Sequence, residues 1–110
     1  PMNDVLFETQ SQIIRELAAK ESCIIVGRCA NYLLSDRALR VYIYAPADYR
    51  VKVIMERLGR EEKSAKSLVK KMDRQRRYYY EYFTDQKWDD FSQYDLCINS
   101  SRFTRSRSWT

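Results

Sequence analysis

The chain has 110 residues, enough for one small domain with one core. Its 45% hydrophobic and 32% charged residues are the mix of a globular chain rather than a disordered one. No apolar run approaches the ~20 residues that span a bilayer, and three cysteines with no histidine argue against both a disulfide framework and a zinc site.

Asn3 or Asp4 can cap a first helix that runs to about Lys20. Leu6, Gln10, Ile13 and Leu17 share one face of it, with Phe7, Ile14 and Ala18 beside them. Residues 23–26 then read as a short strand buried on both faces, because Ile24, Ile25 and Val26 are consecutive and apolar. Gly27 lets the chain turn sharply as it leaves, and a helical turn over residues 29–34 follows. Residues 40–45, RVYIYA, alternate as a second strand. Pro46 fits the start of a helix over about residues 47–58, and Gly59 fits its C-terminal stop. A long helix begins near Glu61, carries Ala65, Leu68, Val69 and Met72 inward, and continues through the run RRYYYEYF to Phe83. A loop containing Trp88 leads to a third short strand at residues 96–98. Strands separated by helices imply a parallel sheet with right-handed crossovers. Residues 101–110 have no periodic apolar face and read as a disordered Ser/Arg tail beyond a domain over residues 1–100. Residues 1–10 show neither a basic start nor a continuous apolar run, so a cytoplasmic protein is expected.

The charge is concentrated. Eight basic and three acidic residues lie between Arg60 and Arg77, which accounts for the net +5 of the whole chain. Such an excess suits an anionic partner, although a solvated helix face explains the same residues. Three places can carry chemistry. Arg28 lies just past the carboxyl end of a strand, where open α/β sheets bind ligands, and its planar fork matches a phosphate or carboxylate. On the basic helix, Asp73 and Arg76 are three apart and can brace each other, while several guanidiniums from one helix can clamp a multiply charged phosphate. Arg57 and Arg60 straddle the Gly59 corner, as a closing lid would need. Three consecutive tyrosines cannot all face inward from a helix, so one of Tyr78, Tyr79 and Tyr80 is expected outside. A tyrosine exposed beside arginines supports an alternative reading, a small nucleic-acid-binding domain. No GxxxxGK(S/T) phosphate loop occurs.

Taken together, IIVGRCANYLL, RVYIYAPADYRVKVIMERLG, KKMDRQRRYYYEYFTDQKW and YDLCINS resemble, in order and spacing, the cytidylate-kinase-like family of nucleoside monophosphate kinases. The resemblance implies a partial P-loop-type, three-layer α/β/α fold with a short parallel sheet of about three strands and long helices. It implies transfer of the ATP γ-phosphoryl group to CMP or a related nucleoside monophosphate, with Mg²⁺. By that resemblance Arg28 holds the acceptor phosphate and Asn31 helps orient the acceptor. Arg57 opens a lid region over about residues 57–83, and Asp73 and Arg76 match its catalytic motif. Asn99 and Ser100 match the vicinity of the donor nucleotide. The family's Gly-rich loop and its lysine have no counterpart here, so the chain reads as an incomplete part of such a kinase. It is expected to bind no ATP or Mg²⁺ productively and to have no membrane partner, and residues 23–26 and 40–44 are expected either to pair directly or to leave a sheet edge that promotes self-association.

Overall fold

The computed structural model describes residues 2–103. Helix α1 (Met2–Lys20) leads through an extended stretch to the short α2 (Ala30–Leu33) and strand β1 (Val41–Tyr44). Helices α3 (Ala47–Leu58) and α4 (Glu62–Thr84) follow, then strand β2 (Leu96–Asn99), with single 3-10 turns at Phe91–Gln93 and Ser100–Arg102. β1 and β2 pair in parallel, Val41 beside Leu96 and Tyr44 beside Asn99, so the crossover between them is the α3–α4 hairpin. This is the expected partial α/β architecture.

The register is fixed at the entry to both strands. The Arg40 backbone N–H donates to Asp95 Oδ2 at 2.8 Å and its Nη2 donates to Oδ1 at 3.1 Å, while the Asp95 and Leu96 amides return bonds to the Arg40 carbonyl. The Arg40 side chain holds the Asp95 carboxyl below its ordinary value. On one face of the pair, Tyr42 packs among Trp88, Phe91 and Tyr94 with ring centroids 5.0 to 6.1 Å apart. A two-stranded pair is marginal without such cover. The opposite face, Val41, Ile43 and Leu96, is exposed.

α3 and α4 are joined by Val51, Ala65 and Val69, with Ile54 and Met55 packed against them. Gly59 takes φ +63° to turn the corner between the two helices, as its position implies. A second small cluster, Ile14 with Ala30 and Leu34, joins α1 to α2. Phe7 stacks on Phe83 (centroids 4.2 Å apart) and meets Tyr79 edge-on, which ties the start of α1 to the end of α4. α1 rotates its buried stripe by one residue from the expected row. Phe7, Ser11, Ile14 and Ala18 turn inward, and Leu6, Ile13 and Leu17 remain exposed. Both rows are apolar, and the aromatic contacts with α4 select between them.

Two expectations are corrected. Among the described residues the sheet has two strands, not three. Residues 23–26 run extended without joining it, with Ile24 95% and Val26 87% exposed. Only Ile25 turns inward, against the α1–α2 cluster. An apolar run states a preference for burial, but a strand also needs a hydrogen-bonding neighbour, and no described segment reaches this one. The second correction concerns the tail. Ser101 and Arg102 form an ordered turn, with Asn99 Oδ1 accepting from the Ser101 amide at 3.0 Å. Residues 104–110 of that tail lie outside the described residues.

All three cysteines are free thiols. Cys29 is buried, and burial pushes its pKa up to about 11, whereas Cys23 and Cys97 are exposed. The thiolate is the reactive form. Iodoacetamide at pH 8 should therefore modify Cys97 well before Cys29, and Cys29 should react at a comparable rate only in denaturant. Equal native rates by peptide mass mapping would contradict this burial.

Candidate functional site

An open cleft of about 2820 Å³ lies between residues 22–28, the free edge of β1, and the inner faces of α3 and α4. It takes in the carboxyl end of β1, where backbone geometry leaves room for a ligand. Arg28, Asn31, Arg57, Asp73, Arg76 and Ser100 all line it; Asn99 does not. Six of the seven residues that the family resemblance singles out therefore border this large cleft, although they come from five different segments.

Their roles in that place differ. Arg28 enters from a turn with an uncommon backbone. Gly27, Arg28 and Cys29 follow one another at φ +70°, +58° and +60°. Two non-glycine residues in the left-handed region cost roughly 1–2 kcal/mol each, so this turn holds strain beside the cleft. Arg57 stands in the last turn of α3 and Arg76 in the second half of α4. Arg28, Arg57 and Arg76 are exposed, and none forms an ion pair among the described residues. Three guanidiniums facing one cleft without a carboxylate partner form a locus for a multiply charged anion.

Asp73 does not brace Arg76. It pairs with Arg50, whose Nη1 donates to both carboxylate oxygens at 2.8 and 2.9 Å. Arg50 Nε donates to the Ala45 carbonyl at 3.1 Å. One side chain thus links the end of β1, the first turn of α3 and the middle of α4, and leaves Arg76 free. Arg50 was not singled out in the sequence. The rule that singled out Arg28, an arginine just past the carboxyl end of a strand, applies to it equally.

Asn31 is also committed. Its Nδ2 donates to the Tyr80 hydroxyl at 2.9 Å, and that hydroxyl donates to Gln93 Oε1. Gln93 Nε2 in turn donates to the Lys87 and Asp90 carbonyls. Burial raises the Tyr80 phenol above its ordinary value, and Tyr94 is pushed up to about 12, so both are neutral hydrogen-bonding groups at pH 7. At the carboxyl end of the sheet, the Ser100 hydroxyl donates to the Tyr44 carbonyl at 3.2 Å, and Asn99 caps the turn that follows. Both residues close the strand ends. Of the tyrosine run, Tyr79 and Tyr80 turn inward, while Tyr78 stacks on Tyr82 outside the cleft.

Among the described residues no three His, Cys, Asp or Glu side chains gather as metal ligands, and the 110 residues contain no Gly-rich phosphate loop. Among the described residues no helix is long and apolar enough to cross a membrane.

Comparison with known proteins gives a consistent result. The model of the cytidylate kinase-like family matches residues 1–102. A cytidylate kinase of Pyrococcus horikoshii is 32% identical over 90 residues, covering 79% of this chain and 46% of that protein. A cytidylate kinase of Methanoculleus marisnigri is 27% identical over 103 residues, covering 94% of this chain and 56% of that protein. The crystal structure of an uncharacterized protein from Eubacterium ventriosum superposes with a TM-score of 0.81 at 40% identity, covering 90% of this chain and 57% of that one. The chain spans about half the length of the relatives it matches.

Proposed function

This chain belongs to the cytidylate kinase-like family, and on that premise we propose that its cleft holds the phosphate of CMP or a related nucleoside monophosphate, the acceptor of the ATP γ-phosphoryl group. The observation that supports this reading is that Arg28, Arg57 and Arg76 line the same cleft, all three exposed and none in an ion pair among the described residues. Phosphoryl transfer needs little covalent chemistry from the protein. It needs the acceptor oriented and the phosphate charge balanced as it shifts. Arg28 supplies a fixed contact from its turn. Arg57 and Arg76 stand on a helical hairpin that meets at Gly59, so a change in hairpin angle would bring them onto the phosphate. Arg50, held by Asp73 and the Ala45 carbonyl, sets where that hairpin stands relative to the sheet. The acceptor half of the reaction is what we assign to the residues of this cleft. A cytoplasmic setting, with its reduced thiols, suits this role.

Calorimetric titration tests the assignment. CMP should bind, and Arg28→Ala and Arg76→Ala should each weaken it roughly 10–100-fold, the loss of one charge-assisted hydrogen bond worth about 1.5–3 kcal/mol. The 110 residues alone should form no ADP from ATP and CMP. CMP binding indifferent to both substitutions would refute the site, and ADP formation would refute the division of labour.

A further inference from the structure

Helix α4 carries a second set of cations, which the cleft does not use. Lys63, Lys70, Lys71 and Arg74 are exposed and do not line it, and neither do Tyr78 and Tyr82. Lys70, Arg74, Tyr78 and Tyr82 follow one another at intervals of four, so they form one row along the helix, with Lys63 and Lys71 beside it. From Lys63 to Tyr82 the row is ~29 Å long by the helical rise. α4 contains three acidic residues, and each is engaged away from this row. Glu62 pairs with Lys66 at 3.1 Å, Asp73 with Arg50 at 2.8 Å, and Glu81 Oε2 accepts from the Trp88 amide at 2.9 Å. Lys63, Lys70, Lys71 and Arg74 form no ion pair among the described residues. Their charge is therefore uncompensated along the outer side of the helix.

The tyrosines end the row with a different chemistry. Tyr78 and Tyr82 are 73% and 56% exposed, and their rings lie 13° from parallel with centroids 6.1 Å apart. The Asp4 carboxylate of α1 beside it raises the Tyr82 phenol above its ordinary value, so that ring is neutral at pH 7. A solvated helix face accounts for the lysines, but it has no need of two aromatic rings on the same row. We propose that this outer row of α4 binds single-stranded nucleic acid, with phosphates along Lys63, Lys70, Lys71 and Arg74 and unpaired bases stacked on Tyr78 and Tyr82. An acidic peptide or an anionic lipid surface would match the cations equally, but neither presents flat rings to the tyrosines. A duplex keeps its base faces inside its own stack. Stacking is tolerant of sequence, because every base has a π-face. The proposal rests on the charge and the rings of this row, and it stands whether or not the cleft holds CMP.

Fluorescence anisotropy with a labelled oligouridine of about 12 nucleotides, made without a 5′ phosphate, tests the proposal. The oligomer should bind at low salt, and log affinity should fall against log salt with a slope of about −3, for four cations at ~0.7 each. Replacing Lys70, Lys71 and Arg74 together with Gln should cut that slope by about 2. Tyr78→Ala with Tyr82→Ala should weaken binding roughly fivefold or more, whereas Tyr78→Phe with Tyr82→Phe keeps the rings and should keep the affinity. All five side chains are exposed, so far-ultraviolet circular dichroism should keep its helical signal in every variant. Excess CMP should not displace the oligomer. Displacement by CMP would place the oligomer in the cleft and overturn the proposal. Absence of binding, an affinity indifferent to loss of both rings, or equal affinity for oligoglutamate or phosphatidylglycerol vesicles would overturn it as well.

Discussion

Replacing Tyr80 with alanine should lower the folding stability by about 3–5 kcal/mol, in the range of large aromatic truncations in cores. Tyr80 is only 3% exposed, and its ring meets Trp88 edge-on with centroids 5.5 Å apart. Its hydroxyl also joins α4 to α2 through Asn31 and to the Phe91–Gln93 turn through Gln93. Tyr80→Phe isolates that second contribution. The ring stays, but Asn31 loses its acceptor and Gln93 its donor, at a cost of about 1–3 kcal/mol. Urea unfolding of the two variants beside the parent separates the effects. The hydroxyl is the more informative part, because Asn31 lines the cleft and Tyr80 fixes its amide. If Tyr80→Phe unfolded within 0.5 kcal/mol of the parent, the chain of bonds from Asn31 to Gln93 would contribute nothing, and Asn31 would be free to serve the ligand directly.

What could be read from the sequence follows from whether the determining contact is local. Gly59 as a helix stop depends on one residue's backbone freedom, and the structure places it at φ +63° as its position implies. The four helices likewise depend on spacings of three and four residues. Residues 23–26 show the opposite case. Their apolar run is local, but strand formation depends on a neighbour elsewhere, and no described segment provides one. Arg50 was overlooked because its importance lies in Asp73, 23 positions away. That same pair overturned the local expectation that Asp73 would brace Arg76. On α1, periodicity found the apolar side but not which of two adjacent rows faces inward, since Phe83 and Tyr79 decide that from the far end of α4. Arg28 was legible as a charged group beside a glycine turn, Arg57 as one at a helix corner and Arg76 as part of a basic helix. Their freedom from carboxylates was not, because it is a property of the assembled surface.

Ala65→Leu should show how closely the site depends on helix packing. Ala65 is the one residue of the α3–α4 contact with no exposure at all, and it lies against Val51 and Val69. Leucine and alanine are both strong helix formers, so the substitution changes the space between the helices more than the helix itself. Three added carbons in a closed contact cost about 1–3 kcal/mol, and the helices can accept them only by moving apart. Arg57 rides on α3 and Arg76 on α4, while the Arg50–Asp73 contact at 2.8 Å spans the two. A wider hairpin breaks that contact and separates the two guanidiniums, so CMP affinity should fall roughly tenfold or more although no ligand-facing residue has changed. Ala65→Gly supplies the contrast. It costs about 1 kcal/mol through helix propensity but adds no volume, so affinity should stay within about twofold of the parent. Denaturant unfolding and calorimetric titration of both variants give the two readouts. Equal affinities in the leucine and glycine variants would mean that the hairpin spacing does not set the arginine positions, and the anion site would then rest on Arg28 and the sheet end alone.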